Sequence, residues 1–248
     1  MVTVKQKYQI DMIRTACQIT ARVRDQMRGE IRPGVATNEL DRRAEALIRA
    51  EGAEPAFKGY RGYRYATCIS VNQEVVHGIP SERKLEEGDI VGFDVGVRYH
   101  GYYGDSAVTV PVGQVSAAAR KLMKCTEEAL YLAIDVAHAG KHVGDMSAVI
   151  EAHAAKNGYT VVRDLFGHGV GLELHEEPLI PNFGVQGEGH ELKPGMIFAI
   201  EPMFNMGGYE IRTKKDGWTV VTNDQKLSAH FEHTIVVTED KAEILTRV

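Results

Sequence analysis

The strongest constraint on this chain of 248 residues is that part of it is written twice. Leu85-Glu86-Glu87-Gly88-Asp89-Ile90-Val91-Gly92-Phe93-Asp94 and Leu192-Lys193-Pro194-Gly195-Met196-Ile197-Phe198-Ala199-Ile200-Glu201 lie 107 positions apart. Leucine, glycine, isoleucine, a small residue, an apolar residue and an acid recur in the same order. Gly34 and Gly140, each ahead of a candidate helix, are 106 apart, as are Gly52 and Gly158 at the helix ends that follow. A near-constant offset argues for two halves related by a pseudo-twofold, at about 5–112 and 116–240. Each half reads helix, helix, strands. Helices are expected at about 5–29, from an N-cap at Thr37 to a stop at Gly52, and at about 116–138 and 145–156. Strand-like segments follow at about 67–71, 75–79, 90–98 and 103–110, then 160–163, 196–201, 207–213, 218–222 and 230–238. No linker or low-complexity tract divides the halves, so one α/β (α+β) domain over residues 1–248 is expected.

Three acids occupy positions that should be apolar. Asp94 and Glu201 end the two copies of the repeat, and Glu232 stands just before Thr234-Ile235-Val236-Val237. A carboxylate buried alone costs several kcal/mol or more, so it is protonated, paired or bound to metal. A His100-Gly101 turn would set Asp105 opposite Gly96, leaving Asp94 and Asp105 as diagonal neighbours on one face. Two bare carboxylates that close repel, and a dication between them resolves the repulsion. The pseudo-twofold sets Glu201 against Asp94 and gives Glu232 the role of Asp105. His168, within Phe166-Gly167-His168-Gly169-Val170-Gly171, would add an imidazole from a glycine-rich loop. Oxygen donors with one nitrogen suit Mn(II), Fe(II) or Co(II), and Zn(II) less distinctively. Any one of these acids has an ordinary alternative, an ion pair with a core arginine. Four around a dyad with one histidine point instead to a two-metal site.

These residues also carry a family resemblance. Asp94, Asp105, His168, Glu201 and Glu232, together with Cys68-Ile69-Ser70-Val71-Asn72, His77-Gly78-Ile79-Pro80, His175-Glu176-Glu177-Pro178 and Phe231-Glu232-His233-Thr234, resemble the pita-bread dinuclear metallopeptidases. The match is nearest to the type I methionine aminopeptidases and spans nearly the whole chain. The resemblance implies two pseudo-twofold halves, each with helices packed on a curved antiparallel sheet. It implies two divalent ions on Asp94, Asp105, His168, Glu201 and Glu232, with Asp105 and Glu232 bridging. His77 and His175 would contact the substrate and stabilise developing charge, and Glu201 would double as a proton shuttle. Tyr63, Cys68 and Trp218 match the family's methionine pocket, and Tyr60 matches it less closely. Leu172, Leu174 and His230 depart from common members, with Leu174 expected to keep the pocket apolar but wider.

The activity so implied is removal of N-terminal methionine from peptides and nascent chains with a small second residue. The ribosome would be a partner if docking occurs there. Two alternatives share the scaffold: an Xaa-Pro aminopeptidase or prolidase, and a non-catalytic binding module. Net charge −5 gives no footprint for nucleic acid or anionic membrane. Three scattered cysteines, no signal-peptide core and no membrane-length apolar run lead to an expected cytoplasmic location. A monomer is expected.

Overall fold

In the computed structural model, which describes residues 2–248, the first half runs α1 (Lys7–Arg28), α2 (Thr37–Ala50), β1 (Glu54–Pro55), β2 (Thr67–Val71), β3 (Glu74–Val76), β4 (Ile90–Tyr99) and β5 (Tyr102–Pro111). The second half opens with α3 (Ala117–Val136), α4 (Val143–Asn157), β6 (Thr160–Val161), β7 (Phe166–Gly169) and β8 (Glu176–Pro181). It continues with β9 (Ile197–Ile200), β10 (Met203–Asn205), β11 (Ile211–Thr213), β12 (Val220–Thr222), β13 (Ser228–His230), β14 (His233–Val237) and β15 (Ala242–Ile244). α1 buries Ile13, Cys17, Thr20 and Arg24 among others, a broad face that covers β4 and β5.

The duplication is visible bond by bond. Gly34 N–H donates to the Leu85 carbonyl, and Gly140 N–H donates to that of Leu192. Gly88 N–H reaches Val112 O, and Gly195 N–H reaches Val237 O. The isolated bridges Ala36–Lys84 and His142–Glu191 are a third such pair. In one sheet β4 lies between β2 and β5, with β1 also paired to it; a five-stranded sheet runs β15-β14-β9-β7-β8, and two three-stranded sheets run β13-β10-β6 and β11-β12-β3.

A seam joins the halves. Glu232 N–H donates to Ala107 O at 2.9 Å, and Ala107 N–H returns to Glu232 O at 3.4 Å. Beside it Thr234 Oγ1 donates to Asp105 O and Ser106 Oγ to Glu232 O, both at 2.7 Å. Side-chain hydroxyls therefore satisfy the strand edges where the two sheets meet, as buried backbone groups require.

The β4–β5 hairpin has the expected register, with Gly96 opposite Asp105 and positive φ at His100 (49°) and Gly101 (86°). Other expectations change. Thr37 is the first helical residue of α2, and Ala36 is the N-cap. The Thr37 hydroxyl instead donates to Ser81 O (3.0 Å) and accepts from Ser81 N (2.8 Å), stapling the helix start to a neighbouring segment. The strand expected over 75–79 stops at Val76 because His77 takes φ 57° and turns the chain. The segment 230–238 is two strands broken at Phe231–Glu232, and 166–169 is a strand, not a loop. No helix among the described residues is long and apolar enough to cross a membrane.

Gly104 lies so close to α1 that an added Cβ would sit 2.6 Å from Cys17 N and 2.7 Å from Cys17 Cα. Backbone cannot yield as a flexible side chain does. Gly104→Ala should therefore lower unfolding free energy by about 1–3 kcal/mol in urea denaturation. A change below about 0.5 kcal/mol, the range of an ordinary surface substitution, would contradict this packing.

Candidate metal centre

Five residues far apart in sequence meet at the seam. Asp94 projects from β4, Asp105 from β5 and His168 from β7; Glu201 follows the end of β9, and Glu232 sits between β13 and β14. Pro202 has no N–H to continue a ladder, so Glu201 leaves the sheet at the point where its side chain is needed. His168 Nε2 lies 3.6 Å from Glu201 Oε1 and 4.0 Å from Asp105 Oδ2. Asp105, His168 and Glu232 offer donor atoms all within 4.8 Å of one another. Asp94 faces Cys68 across β2 and Ala107 across β5, which leaves it diagonal to Asp105. Glycines flank His168 because β7 is pressed between its neighbours: a Cβ would come 2.5 Å from Ala199 O at Gly167 and 2.4 Å from Glu177 O at Gly169.

The electrostatics are those of four carboxyl groups crowded together out of water. Burial raises Asp94 from the usual carboxylate range to about 8. Burial raises Asp105, Glu201 and Glu232 well above normal too, and their mutual repulsion adds to it. Among the described residues no lysine or arginine forms an ion pair with any of the four; the contacts are to His168 and His230. The core-arginine alternative therefore fails. Asp94 Oδ1 and Asp105 Oδ1 are buried with no hydrogen-bond partner, which is costly unless something else satisfies them. His168 is pushed down to about 4 by burial, so it is neutral near pH 7. Its Nδ1 lies 2.9 Å from Gly169 O. A proton there donates to that carbonyl and turns the Nε2 lone pair toward the carboxylates, the arrangement a metal-binding histidine uses. The donor set fits divalent cations.

The other wall is apolar. Tyr63, Cys68 and Leu174 are buried together with Ala56 and Phe57, and Tyr60 and Trp218 pack against them. Tyr63 and Trp218 meet edge to face at 5.0 Å. His77 is half-buried, its pKa lowered by desolvation, with its ring edge-on to Trp218. His175 lies at the exposed rim, stacked on Tyr60 at 5.1 Å and 4.2 Å from the His168 ring. Its Nδ1 is 2.9 Å from the Tyr60 hydroxyl. Both walls line one cavity of about 150 Å³, which the four acids and the histidine of the donor set share with His77, His175 and the apolar residues Tyr63, Cys68, Leu174 and Trp218; Leu172 lies outside it. Phe57, Arg61 and Val76 also line it, and sequence reasoning missed them. Val76 reads as plain strand core, and Phe57 carries no pattern that could mark it. His230 is buried, with Nε2 3.6 Å from Glu201 Oε2.

This charge arrangement has a pH signature. Above about pH 6.5 unfolded carboxylates have lost their protons, whereas the metal-free fold still holds some, up to about pH 8 at Asp94. Stability must then fall as pH rises through that window. His168, His175, His230 and His233, all held down to about 3–4, oppose this slope only until the unfolded imidazoles have lost their protons, by about pH 7.5. In chelator the Tm should drop between about pH 7.5 and 8.5, and saturating Mn(II) should raise it and flatten the slope. A flat or rising Tm in chelator would contradict the anionic cluster.

Comparison with known proteins agrees with this chemistry. The model of metallopeptidase family M24 matches residues 11–239. Methionine aminopeptidase 1 of Bacillus subtilis is 46% identical over 248 residues, covering 100% of both chains. The crystal structure of methionine aminopeptidase from Thermotoga maritima superposes with a TM-score of 0.98 at 44% identity, again over the full length of both. Prolidase from Pyrococcus furiosus reaches 0.81 at 27% identity, with 65% of its own chain covered. These neighbours share the pita-bread arrangement of two helix-covered halves. With a family model spanning most of its length and full-length relatives at this identity, the chain belongs to metallopeptidase family M24.

Proposed function

We propose that this chain is an aminopeptidase that removes N-terminal methionine from peptides and nascent proteins with a small second residue. One observation carries the reading: the five-residue donor set and a closed apolar wall face each other across one small cavity. Polar chemistry and recognition of an unbranched apolar side chain are then a few ångströms apart. The full-length likeness to proteins named methionine aminopeptidase supports it.

In this reading Asp94, Asp105, His168, Glu201 and Glu232 would hold two divalent ions. Co(II), Mn(II) or Fe(II) suit the donors, and Zn(II) fits less distinctively. Such ions supply Lewis-acid polarisation of the scissile carbonyl and acidify water. The chain's own groups do the rest. Tyr63, Cys68, Leu174 and Trp218 take the methionine side chain and exclude water from it. His77 and His175 aim N–H donors at the carbonyl oxygen where negative charge develops, and the Tyr60 hydroxyl orients His175. Glu201, beside both His168 and His230, passes a proton to the departing amine. Residues 1–248 act as one catalytic domain, its halves at about 5–112 and 116–240, because each half contributes acids to the same cavity. The three cysteines are buried and unpaired, which suits a reducing compartment. We assign the work to the cytoplasm, as a monomer, with nascent chains as substrates.

Hydrolysis of Met-Ala-Ser, Leu-Ala-Ser and Ala-Pro-Ala tests the assignment. The methionyl peptide should be cleaved fastest, and only with metal present. Equal or faster cleavage of Ala-Pro-Ala would favour a proline-directed enzyme. His175→Ala should lower kcat by about 100–1,000-fold with little change in metal affinity, in line with loss of one donor to an oxyanion. Asp94→Asn should abolish turnover while the fold persists. Its global unfolding would contradict a ligand role.

A further inference from the structure

The segment ahead of α1 is tied to the cavity wall by one buried ion pair. Lys5 Nζ lies 2.6 Å from Glu176 Oε2, and the two side chains are only 1% and 11% exposed. The other oxygen, Glu176 Oε1, accepts the N–H groups of Leu172 (2.6 Å) and Glu173 (3.0 Å). Glu176 thus closes the short loop that carries Leu174 in the apolar wall and His175 over the His168 ring. Glu176 also pairs with Gly169 where β7 meets β8, next to His168.

Lys5 is itself anchored. Its N–H donates to Gly195 O at 2.9 Å, at the start of the second repeat. Its side chain and Ile13 pack over Gly171, where an added Cβ would lie 2.5 Å from Ile13 Cδ1 and 3.6 Å from Lys5 Cε. From the other side, Tyr103 N–H donates to Gly171 O at 2.9 Å. The loop is therefore fixed at both ends, and its far end depends on a charge 171 positions away in sequence. A pair this desolvated differs from a surface salt bridge: without the ammonium, a buried carboxylate has lost its counter-charge and gains by turning to water. Turning would carry residues 172–175 with it.

We propose that Lys5 is a positioning residue of the site. Through Glu176 it sets the depth of Leu174 and the tilt of His175, so the segment before the first helix governs both turnover and side-chain selectivity. The inference rests on the aminopeptidase reading above for its kinetic consequences, but its structural consequence can be read without activity.

The test compares the parent chain with Lys5→Met, Lys5→Arg and Glu176→Gln. With Mn(II), kcat/KM on Met-Ala-Ser should fall about 10–100-fold in Lys5→Met and Glu176→Gln, the scale of an ångström-sized misplacement. Their preference for Met-Ala-Ser over Leu-Ala-Ser should shrink, and Lys5→Arg should recover most of both losses. In the metal-free chain the amides of Leu172 and Glu173 should exchange about tenfold faster or more, with protection in β4 and β5 unchanged. Folded Lys5→Met and Glu176→Gln that keep rate, preference and exchange within about twofold would overturn the proposal. So would global unfolding of both variants, because the role assigned is local. A parent inactive on Met-Ala-Ser would instead remove the functional reading, while the exchange data would still decide the loop.

Discussion

Mutual repulsion among Asp94, Asp105, Glu201 and Glu232 is the constraint around which the rest of this structure is arranged. Four acids are held in one cavity, and among the described residues no lysine or arginine is paired to them. A chain free to relax would swing such groups apart into water. Here the backbone keeps them together, three of them by strand pairing and Glu201 by its place just past the end of β9. The hairpin register fixes Asp94 against Asp105, and the Ala107–Glu232 exchange of N–H bonds locks Glu232 to the same strand. Thr234 and Ser106 satisfy the remaining carbonyls of the seam. Two repeats meeting at a dyad bring acids from both sides to one point, and a dication there would bind the halves together as well as neutralise them.

The symmetry of the two halves is incomplete at the site. His168 pairs with Ala199, two residues before Glu201; in the first half the position paired two residues before Asp94 is Ser70, opposite Gly92. The Ser70 hydroxyl accepts from Gly78 N–H at 3.0 Å and takes no part in the cavity lining. One half therefore supplies an imidazole and the other a hydroxyl turned to the backbone. His77 and His175 form the same kind of pair, 98 positions apart, each followed three residues later by a proline. Their surroundings differ: His77 is packed by Trp218, and His175 stacks on Tyr60 at the open rim. A symmetric scaffold thus acquires one closed apolar end and one accessible polar end, as a directional reaction requires.

Much of this was legible in the sequence because it depends on local rules. Acid after an apolar run, a two-residue turn and a repeated glycine spacing are short-range signals, and they led to the five converging side chains. What was not legible depends on contacts between distant elements. His168 read as loop because glycine on both sides weakens a strand signal. The glycines serve close approach to Ala199 and Glu177, which no local pattern announces. Thr37 fits every rule for a cap, yet Ser81 captures its hydroxyl. Phe57 and Val76 reach the cavity only through the packing of β4 and β12 around them. Lys5 and Glu176 are unremarkable charges until the fold buries them against each other.

The claim that the cluster at the seam is a dinuclear cation site is tested most directly by calorimetric titration of the metal-free chain with Mn(II) or Co(II). Two equivalents per chain are expected, with His168→Ala losing one of them and Asp105→Asn weakening both. No binding, or a stoichiometry untouched by substitution at Asp105 and His168, would contradict it.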